Sequence, residues 1–490
     1  MIQRRTVLTS GAALTGALGG AGIVVPALSG RARATDPATG PGDVPQFQQA
    51  MPVPETLEPT FASGTTAYYS MTMKEVDSEI LPGRLTRVRT FNGSFPGPVI
   101  KAVSGRRVVI RQTNHLTVPT SIHLHGAHVP QSSDGSPMDL IAAGGGTKTY
   151  TYPNSQPHAN LWFHDHAHHH ESETVYRGLT GLYLLSDDVE QNLDLPSGVY
   201  DVPIALRDAR FDDSGQLAYT MNDPKRTVLL ANGKAWPYFE VAARAYRFRL
   251  FNTSNMRFFV LKLSDGSSFH QIGTDGGLLE EPFETASLAL SPGERADIVV
   301  DFSRYAAGTT LVLNNARPLR PDDPVDQLTK VLQFRVAGPV ANSTLPATLR
   351  TLPPLGSATV NRSFELSMDE TGVTQDAYIN GRPYDMDRVD TEIEYGATEI
   401  WTVRNASTRL PHNFHLHLVQ FRVLERDGRP VTSGPESGLK DTVALQPGET
   451  VKIQATFTGY EGTYVYHCHM IDHAAMGMMA NFRVSRSRVR

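Results

Sequence analysis

Apolar and polar residues alternate in short runs along this chain, and few stretches have the longer amphipathic spacing of a helix. Three of the clearest runs are Arg107–Arg111, Tyr246–Leu250 and Glu399–Val403. A run that alternates in this way predicts a β-strand with one buried face. Many Gly and Pro residues, with abundant Val and Thr, agree with short strands joined by turns. The pattern therefore predicts an all-β protein.

The three runs belong to a unit that occurs three times in the sequence. In each copy an Asn-Gly dipeptide and a Pro precede the run, and an Asn follows it. The dipeptides begin at Asn92, Asn232 and Asn380, and the residues after the runs are Asn114, Asn252 and Asn405. Asn-Gly is typical of a β-hairpin turn. The copies lie about 140 to 150 residues apart, the size of one β-sandwich domain, so we predict three tandem sandwiches.

A shorter echo supports this repeat. Pro292-Gly293-Glu294 precedes the apolar run Ala296–Val300, and Pro447-Gly448-Glu449 precedes the run Val451–Ile453. The same turn is therefore expected in the second and third copies.

Composition changes along the chain predict the domain boundaries. A Pro-rich stretch is expected to form an extended arm, and a segment rich in Pro, Ser, Thr and Leu is expected to link the last two domains. The predicted parts are the arm at 35–60, domain 1 at 61–188, domain 2 at 198–337, the linker at 338–360 and domain 3 at 361–490.

The first 34 residues are typical of an export signal and not of a folded domain. Arg4-Arg5 precedes a weakly apolar stretch, and Ala32-Arg33-Ala34 resembles a cleavage site. Paired arginines indicate the twin-arginine export machinery, and Pro26 with many Gly residues disfavours a membrane anchor. We therefore expect an exported protein without a membrane span in its mature form, located in the periplasm, cell envelope or extracellular space.

The net charge of the chain bears on whether it binds nucleic acid. The chain has a formal net charge of −5, and removal of the four arginines of residues 1–34 takes it to −9. This acidic balance disfavours a nucleic-acid partner.

The candidate chemistry begins at the single cysteine. Cys468 lies between His467 and His469, with His473 five residues later and Met478 ten residues later. One cysteine cannot form an internal disulfide. Blue copper sites use two His, one Cys and a weak axial Met, so Cys468, His473 and Met478 match three of those four ligands.

Histidines elsewhere form further clusters. Seventeen His are present, and ten of them fall into four groups with the spacing of ligands. The groups are His123-x-His125, His164-x-His166, His412-x-x-His415-x-His417, and His467 and His469 with His473. On a strand, a His-x-His pair places both imidazoles on one face, which suits neighbouring metals or a chelate to one metal. We interpret the run His168–His170 as an exposed loop or as residues that support the metal ligands, and His115, His128, His158 and His270 as structural.

The terminal motif has a further implication. If it is a strand, His467 and His469 point to one face while Cys468 points to the other. A thiolate bound to one metal would then be joined by two short backbone paths to imidazoles on other metals. This arrangement provides a covalent route for electrons.

Four ordered motifs resemble those of the multicopper oxidases, in particular the three-domain branch with spore-coat laccases, bilirubin oxidases and phenoxazinone synthase. The resemblance extends from about residue 60 to the end of the chain. The motifs are His123-Leu124-His125-Gly126, Trp162-Phe163-His164-Asp165-His166-Ala167, Pro411-His412-Asn413-Phe414-His415-Leu416-His417, and His467-Cys468-His469 through Met478-Met479.

The resemblance implies three cupredoxin-like Greek-key β-sandwiches and four copper ions, and it implies a role for each ligand. It assigns the type 1 copper to His412, Cys468, His473 and Met478, the type 2 copper to His123 and His415, and the type 3 pair to His125, His164, His166, His417, His467 and His469. The implied reaction couples four one-electron oxidations of a phenolic, aromatic amine or related donor to the reduction of O₂ to two waters.

Proton delivery is the part of the resemblance that departs from the family pattern. Asp134 stands where relatives keep an acid near the type 2 copper, so we predict that it relays protons, although a turn-capping role also fits its Asp-Gly setting. Several relatives carry a Glu directly after the second type 1 His, where this chain has Ala474. Asp472 on the other side of His473 is one candidate to compensate.

Two other functions fit parts of the pattern. A cuprous or other metal-ion oxidase would carry a Met-rich insert near the blue site, and no such segment lies between Gly381 and Pro447. A copper-free cell-division protein of the same fold would have lost the ligands, all of which remain here.

Overall fold

The computed structural model describes residues 44–316, 330–341, 344–371 and 376–486. The predicted export signal and the first residues of the predicted arm lie outside these ranges. Residues 44–60 have no regular element and form isolated bridges to later strands, at Ala50 with Tyr238 and at Thr56 with Val99.

Nine strands form the first segment, residues 61–186. They are β1 (Phe61–Ser63), β2 (Thr66–Leu81), β3 (Arg84–Phe91), β4 (Val99–Val103), β5 (Arg107–Asn114), β6 (Ile122–His125), β7 (Gly146–Tyr152), β8 (Ala159–Asp165) and β9 (Thr180–Ser186). One sheet has the order β1-β2-β5-β7 with β3 on β2, and the other has the order β4-β9-β8-β6.

Twelve strands form the described part of the middle segment, residues 201–316 and 330–337. They are β10 (Asp201–Ala209), β11 (Val228–Ala231), β12 (Lys234–Ala235), β13 (Tyr238–Ala242), β14 (Ala245–Asn252), β15 (Phe259–Leu263), β16 (Phe269–Thr274), β17 (Gly277–Thr285), β18 (Leu288–Leu290), β19 (Arg295–Asp301), β20 (Thr310–Asn315) and β21 (Lys330–Ala337). Their sheets have the orders β12-β11-β10-β14-β19-β16-β17 and β13-β21-β20-β15-β18.

Twelve more strands lie in the third segment, among its described residues 360–371 and 376–485. They are β22 (Val360–Met368), β23 (Ala377–Ile379), β24 (Thr391–Glu394), β25 (Thr398–Asn405), β26 (His412–Leu416), β27 (Phe421–Arg426), β28 (Arg429–Pro430), β29 (Leu439–Lys440), β30 (Thr442–Leu445), β31 (Thr450–Thr456), β32 (Gly462–His467) and β33 (Met479–Ser485). Their sheets have the orders β23-β22-β25-β31-β27-β28, with β29 on β27, and β24-β33-β32-β26-β30.

Helices are few and short in the described ranges. The α-helices are α1 (Glu171–Tyr176), α2 (Asp188–Gln191) and α3 (Ile471–Ala475), and the 3-10 helices are Gln131–Ser133, Gly198–Tyr200 and Phe302–Arg304. None of the helices described there is long and apolar enough to cross a membrane. The all-β prediction is confirmed.

Each Asn-Gly turn forms the same contact in the three segments. The Asn residues have positive φ values of 55°, 45° and 53°, as a type I′ turn requires. Their side-chain oxygens accept hydrogen bonds of 2.8 Å from backbone N–H groups of β2, β10 and β22: Asn92 from Thr72, Asn232 from Ala205, and Asn380 from Glu365.

The Asn that ends each alternating run has a second shared role. Its side-chain amide donates to backbone carbonyls of the loop that follows: Asn114 to Val118, Asn252 to Arg257, and Asn405 to Leu410. The repeat seen in the sequence is thus a repeat of polar contacts as well as of strands.

Three main apolar clusters are centred on the three segments, and the middle one also includes Ile80 and Val88 of the first segment. Tyr150 and Phe163 lie in the first, Phe248 and Phe334 in the second, and Trp401 in the third. The described residues of 338–359 carry neither helix nor strand. This organisation agrees with three tandem sandwiches, while the domain boundaries stay predictions.

Candidate metal centres

The first group of candidate ligands lies in the third segment. His412 begins β26, Cys468 directly follows β32, and His473 lies on α3. Cys468 Sγ lies 3.8 Å from His412 Nδ1 and 3.9 Å from His473 Nδ1, and the two Nδ1 atoms are 3.1 Å apart. All three side chains are buried. The structure therefore brings together two imidazoles and a thiol that are 56 and 5 residues apart along the chain.

Neighbouring polar groups orient this first group. The Ser407 hydroxyl lies 2.8 Å from His412 Nε2, which leaves Nδ1 facing the thiol. Asn413 Oδ1 accepts from the backbone N–H groups of His469 and Met470 at 2.7 and 3.1 Å, and so fixes the loop after the cysteine. Met478 is fully buried, and its carbonyl accepts from the Cys468 N–H at 3.0 Å. Its axial role stays a prediction.

The second group joins the first and third segments. His469 Nε2 lies 3.0 Å from His125 Nδ1 and 3.4 Å from His164 Nε2. The other ring nitrogen of His125, Nε2, lies 2.9 Å from the Asp441 carboxylate. This carboxylate determines which nitrogen of His125 faces the group.

The third group, like the second, consists of three histidines from the first and third segments. His467 Nε2 lies 3.2 Å from His166 Nε2 and 3.3 Å from His417 Nε2. His417 Nδ1 lies 2.8 Å from the Asp134 carboxylate. The second and third groups are therefore two sets of three buried imidazoles, and each set includes one of the two histidines that flank Cys468.

A pair of histidines lies beside these two groups. The Nε2 atoms of His123 and His415 are buried and have no hydrogen-bond partner among the described residues. Their Nδ1 atoms lie 2.6 Å from the Asp134 carbonyl and 2.8 Å from the Asp441 carbonyl. His123, His415 and His417 offer nitrogens within 4.8 Å of one another. Buried ring nitrogens without a partner are costly unless a metal binds them.

The protonation of these groups suits metal binding. Burial holds the pKa values of His123, His125, His164 and His412 far below the usual range, so the imidazoles are neutral and able to bind a metal. Burial raises the pKa of the Cys468 thiol to about 12, so a metal must displace its proton. Neutral imidazoles with one thiolate form a donor set that fits copper.

Strand pairing explains how the sequence builds these groups. β6 and β8 are antiparallel, with His123 opposite His164, and β26 and β32 are antiparallel, with His415 opposite His467. Each His-x-His pair sends its two rings to different groups, which is the neighbouring-metal alternative of the sequence analysis. The strand ends at His467, and Cys468 lies in the first group while its two neighbours lie in the second and third.

Asp441 and Arg295 are site residues that the sequence analysis missed. Arg295 donates two hydrogen bonds to Asp441, at 2.7 and 2.5 Å, and one to the carbonyl of Asn160 on β8, at 2.7 Å. Asp441 in turn contacts His125, as described above. The two residues are 146 positions apart. In the sequence, the only indication of these two residues is that each is charged and lies next to an apolar run. Many surface strands have the same pattern.

Acids that the sequence analysis proposed for proton transfer have specific partners. Asp134 is buried, which raises its pKa to about 8, and it contacts His417 as described above. Asp472 accepts from the Arg226 guanidinium at 2.9 Å and from the Ser172 hydroxyl at 2.5 Å. Ala474 is buried on the same helix. The relay role of Asp134 stays a prediction.

Outside the ligand groups, the histidines differ in exposure and in their contacts. His169 is exposed, and His168 and His170 are half-buried. His158 is buried with its Nε2 3.3 Å from the Arg247 guanidinium, and the Nδ1 of His128 lies 2.8 Å from the Leu418 carbonyl. None of these residues belongs to the four groups formed by the ten clustered histidines and Cys468.

A paired glycine substitution tests the packing against the second group. Gly293 and Gly448, from the echoed Pro-Gly-Glu turns, have φ values of +86° and +77°. A methyl group on Gly293 would lie 2.8 Å from the His469 ring and 3.0 Å from the His125 ring, whereas one on Gly448 would meet nothing within 4 Å. Both Ala variants should lose about 1–2 kcal/mol through the left-handed backbone.

Only Gly293→Ala should also displace the ligands, and we expect a further loss of about 1–3 kcal/mol from overpacking. Its copper content per chain should fall, while that of Gly448→Ala should match the unaltered protein. Copper analysis and chemical denaturation of both variants measure these effects. Equal copper content in the two variants would contradict this account of the packing.

Comparison with protein families matches three successive parts of the chain to models described as multicopper oxidase. The matched residues are 72–189, 208–325 and 354–488. Together they cover most of the sequence, with one match in each of the three strand segments.

Individual proteins show the same likeness. A laccase of Bacillus stratosphericus is 36% identical over 89% of this chain and 98% of its own length. A bilirubin oxidase of Albifimbria verrucaria is 34% identical over 92% of this chain and 85% of its own length. The crystal structure of a laccase from Pediococcus acidilactici superimposes with a TM-score of 0.82, at 32% identity over 90% of this chain and 95% of that one. The cupredoxin-like fold expected from the sequence agrees with these relatives.

Proposed function

This chain belongs to the multicopper oxidase family, and we propose that it oxidises phenols or aromatic amines at four copper ions. The family matches and relatives make it a laccase-like, copper-dependent oxidoreductase that uses a small-molecule donor and O₂. The observation that carries the proposal is the placement of Cys468 in one ligand group and of its two neighbours in two others.

The proposed stoichiometry is one type 1, one type 2 and two type 3 coppers. The group of Cys468 would hold the first, with Met478 as its fourth ligand, and the pair His123 and His415 would hold the second. The type 3 pair would use the two triads, which are His125, His164 and His469, and His166, His417 and His467. This assignment is supported by the ring nitrogens that face one another within each group and by the neutral state of the imidazoles.

Bound copper supplies one-electron redox chemistry, and the protein supplies the path and the protons. An electron that enters at the group of Cys468 can reach His467 and His469 through covalent bonds. Asp134 and Asp441 orient His417 and His125, so that the nitrogens facing each group are fixed before O₂ arrives. Burial of every ligand excludes bulk water from the centre.

Export through the twin-arginine machinery is part of the proposal. Its support is the sequence of residues 1–34, with paired arginines, an apolar stretch and a cleavage-like Ala-Arg-Ala. We propose a periplasmic, envelope or extracellular location on that ground. Fractionation of the native host, with an Arg4-Arg5→Lys-Lys variant as control, tests it: a variant that is still exported through the same route would contradict the proposal.

Oxygen uptake tests the proposed reaction. The copper-loaded protein should consume one O₂ for every four molecules of a methoxyphenol donor oxidised by one electron, and the copper-free protein serves as the blank. Uptake with the phenol at this ratio supports the proposal. Uptake with Cu(I) but not with phenols or aromatic amines would replace it with a metal-ion oxidase.

A further inference from the structure

One carboxyl group near the candidate metal centres is buried without a partner. Glu171 begins α1 and is 2% exposed. Neither of its carboxyl oxygens has a hydrogen-bond partner among the described residues. Burial raises the pKa of Glu171 to about 8, with a smaller contribution from Asp472, and the backbone N–H groups of Glu171 and His170 act in the opposite direction. Because burial is the largest of these effects, the Glu171 carboxyl keeps its proton at neutral pH.

The position of Glu171 places it between two stretches that carry candidate ligands. Residue 171 follows His166 by five positions, and α1 packs against α3, which carries His473 and Ala474. The carboxyl group that several relatives have directly after the second type 1 His is absent here, because that position is Ala474. Glu171 therefore supplies a buried carboxyl from the helix that packs against the one carrying Ala474.

The other acids that face Glu171 are already engaged as acceptors. Asp165 accepts from the backbone N–H groups of Ser121 and Ala167, at 2.8 and 3.0 Å, and from the Thr174 hydroxyl. Asp472 pairs with Arg226 and also accepts from the side chain of Asn255 at 2.9 Å. Both carboxylates are held by donors. Of the three neighbouring carboxyl groups, only Glu171 has neither oxygen in a side-chain or backbone hydrogen bond among the described residues.

The run His168–His170 connects Glu171 to the surface of the protein. Glu171 Oε1 lies 3.9 Å from His168 Nδ1, and the His168 ring lies 3.8 Å, centre to centre, from the ring of exposed His169. Tyr384 packs on His168 with ring centres 5.0 Å apart, and burial raises the pKa of that phenol to about 12. Tyr384 thus stays neutral, and the exposed His169 marks where water reaches this pathway.

Resting on the function proposed above, we propose that Glu171 is the proton donor for O₂ reduction in this protein, in place of the carboxyl absent at Ala474. Reduction of one O₂ to two waters takes four electrons from the donor and four protons from solvent. Each proton leaves a carboxyl oxygen of Glu171 toward the centre, and the carboxylate takes the next proton from water on the side of His168. The acid is regenerated at every step, so no further reactant is needed.

The test compares Glu171→Gln with Glu173→Gln in the copper-loaded protein. Gln keeps the size of Glu and cannot donate a carboxyl proton. Glu173 is two residues away on the same helix, is bound to Arg177 at 2.6 Å, and serves as the control. In Glu171→Gln, copper content, blue colour and reduction of the blue site by donor without O₂ should be unchanged. Its turnover in O₂ should fall about 100-fold, as expected for loss of a general acid, while Glu173→Gln should match the unaltered protein.

Two readouts do not depend on turnover. The infrared band of a protonated carboxyl should be present at pH 7 in the unaltered protein and reduced in Glu171→Gln. The stability of the unaltered protein relative to Glu171→Gln should fall as pH rises from about 4.5 to about 8, because the unfolded chain releases this proton first. Above that range the difference should be constant.

The outcomes separate this inference from the proposed function. If the unaltered protein fails to take up O₂ with phenolic or amine donors, the proposed function is wrong. If it does take up O₂ and Glu171→Gln keeps more than half of its turnover, or loses copper, Glu171 is not the proton donor. A pH-independent stability difference between the two proteins would also overturn the inference.

Discussion

Replacement of Cys468 by Ser is expected to abolish the blue colour and the oxidase activity together. The colour of a blue copper site and its rapid electron transfer both depend on the copper–thiolate bond, and a hydroxyl is a poor ligand for this metal. No other cysteine exists in the chain that could replace it. The visible spectrum and O₂ uptake should both fall to the level of the copper-free protein.

Copper analysis adds a quantitative expectation to this variant. Because the other ligand groups contain only histidines, Cys468→Ser should keep three of the four proposed copper ions. Met470→Leu is the matched control, since Met470 is buried two residues away and a Leu of similar volume should cost less than about 1.5 kcal/mol. A Cys468→Ser protein that is still blue or active would refute the assignment.

Removal of the Asp441 side chain is expected to cause the largest loss of stability. Asp441→Ala would leave the buried Arg295 guanidinium without its two hydrogen bonds to a carboxylate, with Asp275 at 3.7 Å as its nearest remaining acid. Breaking a buried ion pair by removing one partner costs about 3–5 kcal/mol. Chemical denaturation of the copper-free protein measures this cost without any contribution from metal binding.

An exposed pair provides the comparison. Asp77 lies 3.1 Å from Arg87, and their side chains are 48% and 54% exposed. Asp77→Ala should cost less than about 1 kcal/mol, because water and salt already screen such a pair. Similar costs for the two substitutions would mean that Arg295 finds another partner when Asp441 is absent.

The repeat and the ligand clusters could be predicted from the sequence because both are local patterns. Asn92, Asn232 and Asn380 each stand in an Asn-Gly turn whose chemistry is decided within four residues, and each behaves alike in the structure. The cluster around Cys468 is equally local. Residue types at short, regular spacing carried this information.

The division of the histidines among groups could not be obtained from spacing. His123 and His125 lie on one strand but face different partners, and only the packing against the third segment decides which. The resemblance to known oxidases supplied that assignment. Arg295 with Asp441, and the unpaired Glu171, were missed because burial and long-range contact are properties of the folded chain.

Arg295 gives the middle segment, which carries none of the candidate ligands, a structural role at the metal centre. The guanidinium holds Asp441 of the third segment and a carbonyl of β8 in the first, and so fastens together the two halves of the metal centre from outside it. Shortening this protein to its two ligand-bearing domains would therefore remove these contacts, and only direct ones such as Ser172 with Asp472 would still hold the two sets of imidazoles together. A smaller engineered enzyme would need a new cation at the position of the Arg295 guanidinium. The middle segment helps to hold the other two segments in position without providing any of the candidate ligands.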